Sequence, residues 1–273
     1  MSWTSSKVRH MAGSWGEWSD MNARNVIRLH EAEKKGPLDF VLYGDSITSF
    51  HFGYSIGHTK GTDTLWKKYF GDLNAVPMGI PGDQIGNVLW RLSSGNEKPA
   101  SPPKVIGFLI GINDCNRFGE DKSKPRVPSN RERMEALLNW VYAAFPTTAI
   151  VVCALTPTTS AGLADRNALN VEYQNLVRAL AAKGAKITYA DCSASFTKSD
   201  GTPTDPSYMG DKVHMSARGQ EVFLQNLRAT VNDMIKGNTT THRSSTLLLV
   251  AVLVLFICSM MCGSMCSLIL SVS

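Results

Sequence analysis

Apolar residues along the chain recur with two alternating periods, and the switches between them mark the elements. Asn22 to Lys35 has helical spacing, with Val26, Ile27, Leu29 and Ala32 set among Arg, Glu and Lys, and Gly36-Pro37 stops it. A continuous apolar run follows over Leu38–Tyr43, as a strand buried on both faces requires. After a looser stretch to Gly61, the pattern predicts a short helix near Thr64–Phe70 and a strand over Leu73–Ile80. Gln84–Leu92 then presents Ile85, Val88, Leu89 and Leu92 on one helical face. Ser93 to Pro103 reads as a linker. Strand and helix keep alternating beyond it: Val105–Ile110, Arg131–Phe145, Thr148–Leu155, Ala164–Lys183 and Ile187–Ala190. Ser216 is a suitable N-cap for a last helix running to Ile235. Such alternation predicts a parallel sheet with helices on both faces. No internal repeat is present.

The pattern changes near the end. Leu247 to Leu270 contains no charged residue. At ~1.5 Å rise per residue its length corresponds to roughly 36 Å of helix, enough to cross a hydrocarbon core of ~30 Å with some tilt. A membrane span is therefore expected there. Ser259, Gly263 and Ser267 recur every four residues on it, a small-residue face that would let a second copy approach closely and form a weak homodimer. Cys258, Cys262 and Cys266 form the adjacent stripe. Lys236, His242 and Arg243 precede the stretch and no basic residue follows it, so the charge rule keeps the domain on the cytoplasmic side. Met1 to Asp20 is polar and lacks the apolar core of a secretory signal. Glycan on Asn238, in Asn-Thr-Thr, would argue for a lumenal placement instead, and an apolar C-terminal tail is also compatible with a lipid-anchor signal.

Composition narrows the function. The chain has 273 residues and a formal charge of +5, with Lys and Arg scattered rather than clustered, so no basic stripe points to nucleic acid. Cys115, Cys153 and Cys192 lie in the domain without any Cys-x-x-Cys spacing. They read as free thiols in a reducing compartment.

Three predicted strand ends carry polar groups of complementary kinds. The first delivers Asp45 and Ser46 just past Gly44, where a hydroxyl is well placed as a nucleophile. The second ends at Pro81-Gly82-Asp83, where the Gly82 N–H could face a developing oxyanion. The third ends at Gly111-Ile112-Asn113-Asp114, where the Asn113 amide is an uncharged donor. Asp211 and His214, three positions apart, supply a carboxylate able to reach the near ring nitrogen while the far one points at Ser46. Acyl transfer needs this inventory: a hydroxyl activated by an oriented base, and preorganised donors for the oxyanion. Singly, each motif is ordinary turn or cap chemistry; their order after apolar strands sets them apart. Gly53-Tyr54-Ser55-Ile56-Gly57 also fits the Gly-x-Ser-x-Gly elbow, but it follows polar and aromatic residues and precedes a poor helix start, so Ser55 is not the expected nucleophile. Cys115 lacks an assigned base and reads as a packing residue.

Gly44-Asp45-Ser46-Ile47-Thr48, Gly79-Ile80-Pro81-Gly82-Asp83, Gly111-Ile112-Asn113-Asp114 and Asp211-x-x-His214 together resemble the four blocks of the SGNH (GDSL-type) hydrolases. The resemblance runs from Trp18 to Ile235. It is closest to the platelet-activating-factor acetylhydrolase-like and carbohydrate-acetylesterase branches, notably through Val88-Leu89-Trp90-Arg91-Leu92. It implies a flavodoxin-like three-layer α/β/α fold with a five-stranded parallel sheet, to which the apolar tail adds a C-terminal transmembrane helix. It further implies Ser46 as nucleophile, His214 as base and Asp211 as its orienter, with Ser46, Gly82 and Asn113 forming the oxyanion hole and no metal or organic cofactor. Pro77, Pro81 and Lys212 depart from the family pattern; proline lacks an N–H, but neither proline removes the Gly82 donor.

The expected organisation is a polar segment over 1–19, the hydrolase domain over 20–236, a linker over 237–246 and the transmembrane helix over 247–270. The expected partners are a small ester substrate, lipid or sugar, and a membrane, with no nucleic acid. The expected activity is hydrolysis of a carboxylic ester with a short acyl group such as acetyl. A thioesterase or lysophospholipase would use the same machinery, and a catalytically inactive tethered binding domain is the competing class.

Overall fold

The computed structural model describes residues 15–55, 61–116 and 128–237. Five short strands, β1 (Phe40–Gly44), β2 (Ala75–Gly79), β3 (Val105–Leu109), β4 (Ala149–Cys153) and β5 (Ile187–Ala190), form one sheet in the order β2-β1-β3-β4-β5. Every pairing is parallel, with Gly44 opposite both Gly79 and Leu109. This is the doubly wound order whose chain reverses direction between β1 and β3, the place where such sheets bind ligands.

Side chains alternate across the sheet with period two. Val41, Tyr43, Ile106, Phe108, Ile150 and Val152 face one layer, built from α1 (Trp15–Glu33), α4 (Ile85–Ser93), α6 (Asn130–Ala144) and α7 (Leu163–Ala182). Phe40, Leu42, Val105, Leu109 and Val151 face the other, where α3 (Asp63–Phe70) and α8 (Ala217–Ile235) contribute Trp66, Phe70, Phe223, Leu227 and Val231. The three-layer architecture expected from the alternation is therefore present. Pro77 lies in β2, an edge strand paired only with β1, where a missing N–H costs no ladder bond on the open side.

Three local readings need correction. Helix α1 starts at Trp15, seven residues before the apolar spacing begins, so the tract assigned to a separate polar segment overlaps it. The stripe Trp18, Asn22, Asn25, Leu29 and Ala32 shares one helical face. Its first half sets the buried Trp18 beside Asn22 and Asn25, whose amides donate to Glu97 as the Trp18 indole donates to Asp83, so too few apolar positions remain to mark a hydrophobic period. The supposedly loose stretch after Ser46 holds a one-turn helix, α2 (Ser46–Ser49), and a 3₁₀ turn at Phe50–Phe52. The Gly-Ile-Asn-Asp turn likewise continues into a short helix, α5 (Ile112–Asn116). Ser216 caps α8 as expected, its Oγ accepting from Gly219 N–H.

Among the described residues, no helix is long and apolar enough to cross a membrane. The stretch 247–270, with Ser259, Gly263 and Ser267, lies outside the described residues, as does most of the linker.

Candidate active site

The site forms where β1, β2 and β3 end. Gly44 closes β1, and the chain turns so sharply there that a Cβ would overlap the Thr48 side chain and the Leu109 carbonyl; only glycine fits. Asp45 follows as the N-cap of α2, its carboxyl accepting from Ile47 N–H at 2.9 Å. Ser46 opens that helix and is buried. Next to it, Ile80 N–H donates to Gly44 O at 3.2 Å and fastens the end of β2 to the end of β1.

Ile80 to Asp83 make a tight turn closed by Asp83 N–H to Ile80 O, 3.2 Å. Pro81 and Gly82 occupy its two central positions, and Gly82 has φ +80°. That is the preference of a type II turn, so proline at this point presets the backbone rather than disturbing it. The Ser46 and Gly82 amides donate to no carbonyl among the turn, loop and cap hydrogen bonds of the described residues. The Asn113 amide nitrogen, on α5, donates to Asp83 O at 2.9 Å, leaving its second hydrogen as a donor.

His214 arrives from far along the chain. Its Nε2 lies 2.9 Å from Ser46 Oγ, and its Nδ1 lies 2.7 Å from Asp211 Oδ2. Asp211 Oδ1 accepts the Val213 and His214 backbone N–H groups, both at 2.7 Å, which locks the carboxylate and the ring in one turn. Burial pushes the Asp211 carboxyl upward, but these hydrogen bonds from His214 and Val213 outweigh it and hold the group below its ordinary value. The loop after β4 supports this turn: Thr159 N–H and Thr158 Oγ1 both donate to Lys212 O. Phe50 meets the His214 ring edge-on, with centroids 5.3 Å apart.

Ser46, His214 and Asp211 thus form one hydrogen-bonded chain, with Gly82 and Asn113 on the adjoining strand ends. A hydroxyl so connected can pass its proton to the imidazole as it attacks an electrophilic carbon, while the carboxylate holds the ring's tautomer. Ser55 is not part of this cluster; it is exposed and its Oγ accepts from Gly61 N–H. Cys115 is buried in the apolar core. No three His, Cys, Asp or Glu side chains among the described residues are grouped so as to hold a metal ion.

Several contributors escape sequence reasoning. Arg91 is wholly buried and bridges Asp83 Oδ2 at 2.7 Å and Glu97 Oε2 at 2.6 Å. Burial opposes the Arg91 charge, but Glu97 and Asp83 more than compensate, so the guanidinium is held above its ordinary value. Burial pushes the Asp83 carboxyl up to about 7 despite Arg91 and Trp18, and pushes Asp45 up to about 8. Trp18 on α1 donates its indole N–H to Asp83 Oδ1 at 2.8 Å. A signal existed for Arg91: a lone arginine inside the otherwise apolar face of α4 has to find buried acids.

Comparison with known proteins follows the same lines. The model of the GDSL-like Lipase/Acylhydrolase family matches residues 42–222. Platelet-activating factor acetylhydrolase IB subunit alpha1 of Rattus norvegicus is 28% identical over 204 residues, covering 75% of this chain and 78% of the relative. The alpha2 subunit of Gallus gallus is 28% identical over 228 residues, covering 84% and 89%. Among solved structures, a putative platelet activating factor from Streptococcus pneumonia superposes with a TM-score of 0.62 at 18% identity, over 79% of this chain and 93% of that one. An acetylxylan esterase from Geobacillus stearothermophilus, in a catalytic-mutant form, gives 0.52 at 18% identity, over 72% and 95%.

Proposed function

The chain belongs to the GDSL-like lipase/acylhydrolase family and is a hydrolase of ester bonds, and from that premise we propose that Ser46 is its nucleophile, His214 its base and Asp211 the orienter of His214. The observation that carries this reading is the unbroken hydrogen-bond chain from Ser46 Oγ through both His214 nitrogens to Asp211. Ser46 Oγ attacks the ester carbonyl carbon as its proton passes to His214 Nε2. The carbonyl oxygen becomes an oxyanion facing the Ser46 and Gly82 N–H groups and the Asn113 amide. Collapse expels the alcohol, which takes the proton from Nε2 and leaves an acyl-Ser46 ester. Water then attacks that ester, giving its proton to Nε2. The second collapse releases the acid and returns the proton to Ser46.

The acyl group of this reading is short, acetyl being the simplest case, carried on a lipid or a sugar. Its support is that both an acetylhydrolase and an acetylxylan esterase stand among the similar proteins. Replacing Ser46 by Ala in the full chain removes the nucleophile and leaves the strand end intact. Turnover of p-nitrophenyl acetate and covalent labelling by a fluorophosphonate should both disappear; turnover undiminished by the change would refute the mechanism.

The apolar stretch 247–270 further supports the reading that the domain works beside a membrane, on its cytoplasmic side. Alkaline carbonate extraction should leave the full chain in the pellet and release a chain ending at Gly237. Release of both would refute the anchor.

A further inference from the structure

Asp83 is held at every polar point it has. Its Oδ1 accepts from Trp18, its Oδ2 from Arg91, its carbonyl from Asn113, and its N–H closes the turn onto Ile80. Gly82 is the residue directly before it. The arginine that holds Asp83 also reaches the two strands behind the site. Arg91 Nη1 donates to Gly44 O at 3.2 Å, two residues before Ser46, and Nη2 donates to Met78 O at 2.6 Å, at the end of β2. Glu97 accepts from the same Nη2 and, on its other oxygen, from Asn22 and Asn25 of α1.

One planar guanidinium therefore fastens the end of β1, the end of β2 and the turn that carries Gly82, while the residue it clamps orients the Asn113 amide. We propose that Arg91, with Trp18, is the positioning residue of the oxyanion pocket: it fixes the Ser46 and Gly82 N–H groups and the Asn113 amide relative to one another. The proposal rests on the hydrolase mechanism given above and adds residues that touch no substrate. Stability alone accounts poorly for the arrangement, because a buried ion pair gains little over apolar residues of similar volume. What a guanidinium adds is direction: two nitrogens in a fixed fork serve four acceptors, which a single lysine nitrogen cannot do.

The test compares Arg91→Lys, Trp18→Phe and Val231→Ala in the full chain. The Phe side chain keeps aromatic packing against Trp90 but lacks the indole N–H. Val231 is buried in α8 among the apolar side chains of that layer and serves as a control for lost stability alone. Measured for each are kcat and KM on p-nitrophenyl acetate, the melting temperature, and both the rate constant and the final stoichiometry of fluorophosphonate labelling. Misplacing donors by ~1 Å typically costs about 100-fold, so kcat should fall about 100-fold for Arg91→Lys and about 10-fold for Trp18→Phe. KM should stay near wild type, and the labelling rate should fall in parallel while stoichiometry remains one label per chain. Val231→Ala should lower the melting temperature and leave kcat unchanged. Trp18→Phe within twofold of wild type, or losses explained by reduced stoichiometry, would overturn the proposal. If Arg91→Lys does not fold, Trp18→Phe still decides. Failure of the mechanism itself reads differently, as activity surviving Ser46→Ala.

Discussion

Replacing Asp211 by Asn isolates one part of the proposed relay. Asp211 does two separable jobs: Oδ1 accepts the Val213 and His214 backbone N–H groups, and Oδ2 faces His214 Nδ1. An asparagine oxygen can keep the first, so the turn should survive. Its NH₂ then lies opposite Nδ1, and because that nitrogen donates, Nδ1 must accept. The imidazole proton moves to Nε2, where it blocks transfer from Ser46. The ion attraction that stabilises the imidazolium is lost as well. At ~4 Å and an effective dielectric constant of ~20, a carboxylate and an imidazolium attract by about 4 kcal/mol. The Asp211 side chain is 43% exposed, so solvent screening reduces this figure. A loss of about 2–4 kcal/mol corresponds to a fall of about 30- to 1000-fold in kcat/KM, short of the ~10⁴-fold cost in a buried triad. Initial rates on p-nitrophenyl acetate give the value, with circular dichroism to establish that the variant is folded. A folded Asp211→Asn enzyme within threefold of wild type would refute both the tautomer argument and the assigned role.

Two further expectations concern neighbours of that relay. Asn113→Ala removes one of the proposed oxyanion donors and should lower kcat by about 10²–10³-fold with little change in KM, read from steady-state kinetics. His51 is buried with neither ring nitrogen hydrogen-bonded, and burial depresses it from 6.5 to about 3. The unfolded chain then binds a proton below 6.5 that the folded chain refuses until about pH 3, so stability falls as pH drops through that window. At pH 5 the difference is about 2 kcal/mol. Urea unfolding at the two values should show that the unfolding free energy of His51→Leu at pH 8 minus that at pH 5 is lower than the wild-type difference by about 2 kcal/mol, whatever other groups add to both; an unchanged difference would remove His51 as a source.

The sequence displayed what repeats and what breaks the repeat. Strands buried on both faces and helices with one apolar stripe each have a period, so the sheet and most of the helices were legible. The polar residues at three strand ends stood out because buried strands tolerate none. Helix α1 was cut short for the converse reason: Asn22 and Asn25 lie on its inner face, and their acceptor, Glu97, is a partner that local sequence does not reveal. The same holds for Trp18 and Asp83, 65 residues apart. Local pattern records which face is apolar, whereas a buried polar network is a property of the assembled layers. Ser46 and His214, 168 residues apart, were paired through chemical complementarity and family resemblance, and no periodicity could have joined them.

The polar groups behind the strand ends explain how such a site tolerates its own charge. Asp45, Asp83, Glu97 and Asp114 are all buried, and each would oppose an oxyanion if ionised and unpaired. Asp83 and Glu97 share Arg91 between them. Asp114 accepts the Ile85 N–H at the start of α4 and lies 3.7 Å from Arg133. Asp45 adjoins Ser46 and forms no ion pair among the described residues, and burial raises its carboxyl to about 8, which favours the neutral acid over the carboxylate at pH 7. A neutral acid still accepts from Ile47 N–H and caps α2, but it presents no charge to the carbonyl oxygen under attack. That arrangement has a stability cost of definite sign: the folded form retains its proton from 3.8 to about 8 while the unfolded form releases it, so Asp45 destabilises the fold progressively as pH rises through that range. His51 acts in the opposite sense below 6.5. The two buried groups lie on either side of α2, so both of these pH-dependent costs to stability arise beside Ser46, the proposed nucleophile.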